Sequence, residues 1–246
     1  MSDPRTLLVA LAHPDDELGV AGSILAQRAL GDRVVILWLT RGEMTEALGE
    51  ASAADVARLR TAQGREAGEM LGAETLFLDF PDAAIEATPE AARRVASVIA
   101  DVRPDGVVTW GDAWVRGMRH PDHQACGRIV RDALTLARIK KMVEPAAPHR
   151  AEAPLFTYRG LHSGLPAVVV DVEPYLDPVL ELGRFYEERV GFGNPEWLKQ
   201  RLEEVGRRWG LRYAEEFDAW ETEPGVVGAL LPAEQAGPAR PPDRAS

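Results

Sequence analysis

Five consecutive residues, His13, Pro14, Asp15, Asp16 and Glu17, set one imidazole beside three carboxylates. One acid is enough to complement the positive end of a helix. Three adjacent acids repel each other, and an imidazole beside them at the end of an apolar run makes a bound cation the economical explanation. A second cluster, His120, Pro121, Asp122 and His123, holds two of the chain's five histidines within four residues. Alone it would be a helix start, with Asp122 as cap and exposed histidines. Combined with the first, it completes a ligand set. His13, Asp16 and one histidine of the second cluster offer two nitrogens and one oxygen with a position left for water, the pattern of catalytic zinc.

Both clusters have to be carried to one place by the fold. Short apolar runs at 6–12, 33–40, 75–80, 106–110 and 167–172 alternate with segments of helical period at 18–30, 54–71, 88–102 and 124–139. Near-continuous apolar strands spaced by helices predict an α/β fold, a Rossmann-like and mostly parallel sheet covered on both faces. Each His/Asp cluster falls on a strand-to-helix turn, so both belong to the carboxyl edge of that sheet, where open α/β folds bind ligands. After residue 172 the rhythm changes to two helices, 175–190 and 195 to about 220, separated by the turn GFGNPE; these form a C-terminal helical cap. Residues 1–221 constitute a single domain, and the Pro-, Ala- and Gly-rich segment 222–246 a tail.

Composition narrows the partners. The chain has 246 residues and a net charge of −11, which repels phosphate backbones and anionic lipid surfaces. No apolar run approaches the roughly 18 residues needed to cross a bilayer. One cysteine and an acidic, Pro-containing N-terminus predict a cytoplasmic protein without disulfides. Nucleic acid and membrane are therefore excluded as partners, and a homo-oligomer is compatible. His149, in a Pro/Ala loop, is expected to be exposed. His162 falls in a turn, and Cys126 is expected to be a small buried residue. Neither a G-x-S-x-G nucleophile turn nor a phosphate-binding G-x-x-x-x-G-K-[ST] occurs.

The motifs AHPDDELGVAGSI at 12–24 and HPDHQACG at 120–127 resemble the two signature motifs of the PIG-L/LmbE-like family of zinc-dependent N-deacetylases. TRGE at 40–43, LG and FLDFPD between 71 and 82, and AEEF at 214–217 are similar to its further landmarks. The family includes N-acetylglucosaminyl deacetylases of mycothiol and bacillithiol biosynthesis. The resemblance implies Zn²⁺, or another divalent metal such as Fe²⁺, on His13, Asp16 and His123. It further implies Asp15 as general base and a protonated His120, its charge supported by Asp122, facing the oxyanion. Arg60 and Asp82 become substrate contacts. Gln63 stands where many members have Glu, and Met118 where some have Tyr. The implied reaction is removal of acetyl from an N-acetylglucosamine-type conjugate, releasing acetate and an amine. An amidase of a larger thiol-sugar conjugate and a non-catalytic metal- or sugar-binding module are the alternatives.

Overall fold

The computed structural model describes residues 4–111, 120–160 and 163–231. The chain starts with β1 (Thr6–Leu11), a 3₁₀ turn (Asp16–Gly19), α1 (Ala21–Ala29) and β2 (Arg33–Trp38). α2 (Ala53–Leu71), β3 (Glu74–Phe77), α3 (Pro89–Val102) and β4 (Gly106–Thr109) follow. Next come α4 (Pro121–Leu136), the short α5 (Lys140–Val143), β5 (Leu155–Tyr158) and β6 (Ala167–Asp171). The last elements are α6 (Leu176–Val190), α7 (Pro195–Arg208), β7 (Ala214–Ala219) and β8 (Gly225–Val227). The helices start where their sequences provide caps: Ser52 accepts from the Asp55 N–H, Thr88 from Ala91, and Asn194 from Trp197. Gly72 ends α2 in the left-handed conformation that glycine adopts without penalty.

All eight strands lie in one sheet of order β3-β2-β1-β4-β5-β7-β6-β8. β1 to β5 pair in parallel, whereas β7 runs antiparallel between β5 and β6. Alternate residues of β1 feed two cores. Leu7, Val9 and Leu11 pack with Ile24 of α1 and Leu182 of α6; Leu8 and Ala10 pack with Val95 of α3 and Ile129 of α4. Two covered faces explain why the central strands carry no polar alternation. The chain leaves β1 toward β2 on one side and reaches β4 on the other, so a crevice opens at the carboxyl ends of β1 and β4. No helix among the described residues is long and apolar enough to cross a membrane.

Several boundaries differ from the sequence reading. The expected helix 18–30 is broken at Val20 (φ −140°) into a tight turn and α1. The expected helix to about 220 stops at Arg208; Gly210 takes φ +72° and the chain re-enters the sheet as β7. β7 was hidden because Glu215 and Asp218 are buried with partners, Glu215 on Gly22 and Ser23 and Asp218 on Arg159. Part of the segment assigned to a tail also belongs to the domain: β8 pairs in parallel with β6, and Leu230 and Leu231 are buried. His149 is buried as well, its Nε2 2.8 Å from the Pro104 carbonyl. Met118 and His162 lie outside the described residues.

Candidate metal centre and active site

β1 runs buried to Ala12 and then delivers four functional residues in a single turn. Asp16 folds back on that turn, and its Oδ2 accepts the N–H groups of Ala12 (3.0 Å) and His13 (2.9 Å). The indole Nε1 of Trp110, the residue after β4, donates to the same oxygen at 3.0 Å. Oδ1 is left to face His123 Nε2 at 3.2 Å. Burial opposes ionisation of Asp16, but the His123 hydrogen bond, the nearby imidazole charges and the backbone donor prevail and bring its pKa down to about 2.

His13 is fixed from its other ring nitrogen. Its Nε2 lies 3.1 Å from Asp82 Oδ1 and 3.1 Å from Asp122 Oδ2, while Nδ1 is turned toward Asp16 at 3.7 Å. A carboxylate behind an imidazole sets its tautomer and raises its basicity, as is usual for metal-ligating histidines. Burial works against a charged His13, yet Asp122, Asp82 and Asp16 outweigh it and push its pKa to about 10. A positive charge is therefore demanded at this point, and a proton or a metal ion can supply it.

The second cluster enters at the start of α4. His120 is the N-cap, and its Nδ1 accepts the Asp122 N–H at 3.3 Å. His123, one turn into the helix, stacks on Trp110 with ring centroids 3.8 Å apart and planes 7° from parallel. Ring nitrogens of His13, His120 and His123 lie within 4.8 Å of one another, and so do donor atoms of His13, Asp82, His120 and Asp122. Imidazole and carboxylate donors converging at a buried crevice are the donor chemistry that Zn²⁺ and related divalent ions take. The site fits such an ion.

Asp15 is brought next to these donors without joining them. Its backbone takes φ +104°, a conformation that costs a non-glycine residue free energy and persists only where the surroundings enforce it. Two groups do so. Glu17 Oε2 accepts the Asp15 N–H at 2.9 Å, and Arg60 of α2 donates to Asp15 Oδ2 at 2.7 Å and to the Pro14 carbonyl. Glu17 is fully buried and also accepts from Trp38 Nε1 and the Tyr186 hydroxyl. Burial raises Asp15 to about 7, with Arg60 pulling the other way and Asp16 and Glu17 adding to the rise. An acid poised near neutrality is suited to exchange protons.

Arg60, Asp82 and His120 have partners inside the protein that the sequence does not show. Arg60 is 2% exposed and donates to Asp15, to the Pro14 carbonyl and to Gln63, so it positions Asp15 from the wall of the cavity, while its Nε has no hydrogen-bond partner among the described residues. Asp82, also in the cavity wall, gives one oxygen to His13 and the other to the Met44 N–H, which makes it a partner of His13. His120 is not favoured as a cation. Burial and the charge of His13 lower its pKa despite Asp122, 4.0 Å away, and its Nδ1 is already an acceptor. A neutral ring with a bonded Nδ1 carries its proton on Nε2. Asp122 itself turns to the N–H groups of Ala83 and Ile85 and to His13. Trp110, Trp38 and Tyr186 were missed altogether. A tryptophan directly after a strand ending in the crevice was the available signal for Trp110; Tyr186 left none.

His13, Asp15, Asp16, Arg60, Asp82, His120 and His123 line a cavity of about 430 Å³, with the exposed Met44 and Phe192 also in its wall. The family model described as GlcNAc-PI de-N-acetylase, PIG-L, matches residues 8–134, a span that includes both His/Asp clusters. Diacetylchitobiose deacetylase of Thermococcus kodakarensis is 29% identical over 225 residues, covering 87% of this chain and 82% of the relative. A probable N-acetyl-α-D-glucosaminyl L-malate deacetylase of Bacillus anthracis is 30% identical over 217 residues, covering 81% and 94%. Among solved structures, the N,N'-diacetylchitobiose deacetylase of Pyrococcus horikoshii superposes with a TM-score of 0.78 at 21% identity, over 89% of this chain and 84% of that one, a likeness of fold. A family match over more than half of the chain, together with the likeness to the Bacillus protein along four-fifths of it, shows that the chain belongs to the PIG-L de-N-acetylase family.

Proposed function

We propose that the protein hydrolyses the acetamide of a small N-acetylglucosamine-type conjugate, giving acetate and a free amino sugar, with one Zn²⁺ held by His13, Asp16 and His123. The observation that carries this reading is the separation of Asp15 from Asp16. Adjacent in sequence, one faces His123 and is strongly acidic; the other is tied to Arg60 with a pKa near 7. Environments that push two neighbouring carboxylates apart assign one to hold charge and the other to move protons. The names of the two sequence relatives, both deacetylases of N-acetylated sugars, support the reaction class.

When bound, the divalent ion supplies Lewis acidity toward the acetamide carbonyl and toward water. The chain's residues do the rest. Asp15, ionised, takes a proton from the water that attacks the carbonyl carbon and returns it to the amine nitrogen as the C–N bond breaks. His120, with its proton on Nε2, faces the oxygen on which negative charge develops. One such donor is commonly worth about 3 kcal/mol of barrier. His123 is the better metal ligand of the pair because its ring is clamped against Trp110 and directed at Asp16. His120, 41% exposed at its side chain, stands at the rim.

The deciding experiment is acetate release from a panel of N-acetylglucosamine conjugates, with and without a chelator, and after reloading with Zn²⁺ or Fe²⁺. Chelator-sensitive release restored by zinc is expected. Turnover that ignores the chelator, or none on any member of the panel, overturns the reading.

A further inference from the structure

Trp110 touches two of the three residues assigned to the metal, and it does so from a strand that carries neither. Its indole Nε1 donates to Asp16 Oδ2, and its ring lies flat on His123. The two contacts do different work. The N–H groups of Ala12 and His13 also reach Oδ2, but they belong to the turn that carries Asp16 and travel with it. The indole comes from the neighbouring strand end and stops the carboxylate from turning about its own bond to the chain. A carboxylate oxygen has about two lone-pair sites, so three donors fill those of Oδ2 and leave Oδ1 as the oxygen able to ligate. The stack acts likewise on His123. It fixes the plane of the imidazole, and with it the direction of Nε2, which stands 3.2 Å from Asp16 Oδ1.

Trp110 is itself held in place. Tyr158 of β5 meets its ring edge-on, with centroids 4.5 Å apart and planes at 86°, an arrangement aromatic pairs favour. The Tyr158 hydroxyl then donates to the Asp16 carbonyl at 2.9 Å. On the other side α4 packs so closely that a Cβ at Gly127 would collide with the Trp110 carbonyl oxygen. Glycine at 127 therefore brings the helix of His123 onto the backbone of Trp110. The Trp110 side chain packs against both hydrophobic cores, so the two faces of the sheet meet on the residue that joins the two ligands.

We propose that Trp110 is a positioning residue for the metal: it locks Asp16 and His123 into one rigid pair, restricts Asp16 to ligation through Oδ1, and thereby sets the affinity of the site and the number of protein atoms on the ion. The assignment rests on the reading of His13, Asp16 and His123 as the metal ligands. Groups that hold metal ligands in this way are commonly worth about 10–100-fold in metal affinity.

The test compares the full chain as wild type, Trp110→Phe and Trp110→Leu, each stripped with a chelator and reloaded with Zn²⁺ or Co²⁺. Phenylalanine keeps a ring to stack on His123 and removes the donor; leucine removes both. Zinc affinity, read by competition with a chromophoric chelator, is expected to fall about tenfold in Trp110→Phe and about 100-fold in Trp110→Leu. The visible spectrum of the cobalt form reports the number and arrangement of ligand atoms. It is expected to change in Trp110→Phe, where Asp16 is free to turn, and a loss of packing alone would leave it as it was. Thermal melting of the metal-free proteins separates folding from metal binding. Wild-type zinc affinity and cobalt spectrum in Trp110→Phe overturn the proposal, whatever the melting temperature. Equal affinities in the two variants overturn the part assigned to the stack. A wild type that takes up neither ion overturns the metal reading itself, and with it any role of Trp110 toward a metal.

Discussion

The guanidinium of Arg60 reaches across from α2 to donate to Asp15 Oδ2 at 2.7 Å, from a position 45 residues further along the chain. The same Nη2 donates to the Pro14 carbonyl, so one buried cation steadies both the charge of Asp15 and the left-handed turn that carries it. Arg60 thereby separates the proton-transferring carboxylate from the ligand next to it.

Asp15 works ionised, so activity is present above its pKa and is lost as pH falls through it. Its pKa is already raised by burial and restrained by Arg60. Arg60→Met should move the acid limb of kcat/KM to higher pH by about 1–3 units, the usual effect of a guanidinium beside a carboxylate. Arg60→Lys should recover part of the shift. A pH–rate series on the three proteins measures it; an unmoved limb in Arg60→Met would assign that limb to another group.

Asp15→Asn should keep the metal and the fold while kcat falls by about 10² or more, the usual worth of general-base catalysis. Metal analysis and single-turnover acetate release on one preparation check both halves of the statement.

Metal content should separate the two histidines of α4. His123→Ala and His13→Ala are expected to arrive depleted of zinc, whereas His120→Ala should retain it and lose about 10²–10³ in kcat as an oxyanion donor. Because the Asp122 N–H occupies His120 Nδ1, the alkaline limb of the wild-type profile should not be a His120 titration, and its position should be the same in His120→Ala. Depleted His120→Ala would exchange the roles of the two rings.

The identity of the chemistry was legible in the sequence because the two His/Asp clusters are local and sit on strand-to-helix turns. β1, β2, α2 and α3 were legible for a related reason: continuous apolar runs and explicit caps mark them. β7 and β8 were not. A strand reading AEEFDA looks exposed until Glu215 and Asp218 find partners from α1 and the segment after β5, and GVV offers only three residues. The bonds of Arg60 to Asp15 and of Asp82 to His13 were not legible for an equivalent reason. Sequence gives the type of a side chain, whereas its role depends on which of its atoms distant residues have already engaged.

Glu215 supplies a stability test away from the chemistry. Its Oε1 accepts the Gly22 N–H at 2.9 Å, and its Oε2 accepts the Ser23 N–H at 2.8 Å and the Ser23 hydroxyl at 2.6 Å. Glu215→Gln sets an amide donor against backbone donors at the start of α1 whichever way it is turned. Chemical denaturation should show a loss of about 1–3 kcal/mol, the cost of an unsatisfied buried polar group. A neutral result would mean that this carboxyl is already protonated in the folded protein.

At the sheet's amino edge, opposite the crevice, Leu231 is held by both of its backbone groups. Gln27 donates to its carbonyl and accepts its N–H, each at 3.0 Å, and Arg5 donates to the same carbonyl. Its side chain fills the space that Gly106 leaves at the start of β4. The segment after β8 is thus a clasp that fastens the first strand, the first helix and β4 from below. Pulled at residues 5 and 231, the molecule would bear the load in this clasp, far along the strands from His13 and Asp15. A cut after residue 221 would release the clasp while deleting no residue of the metal site, so such a truncation should lose mechanical and thermal resilience before it loses its chemistry.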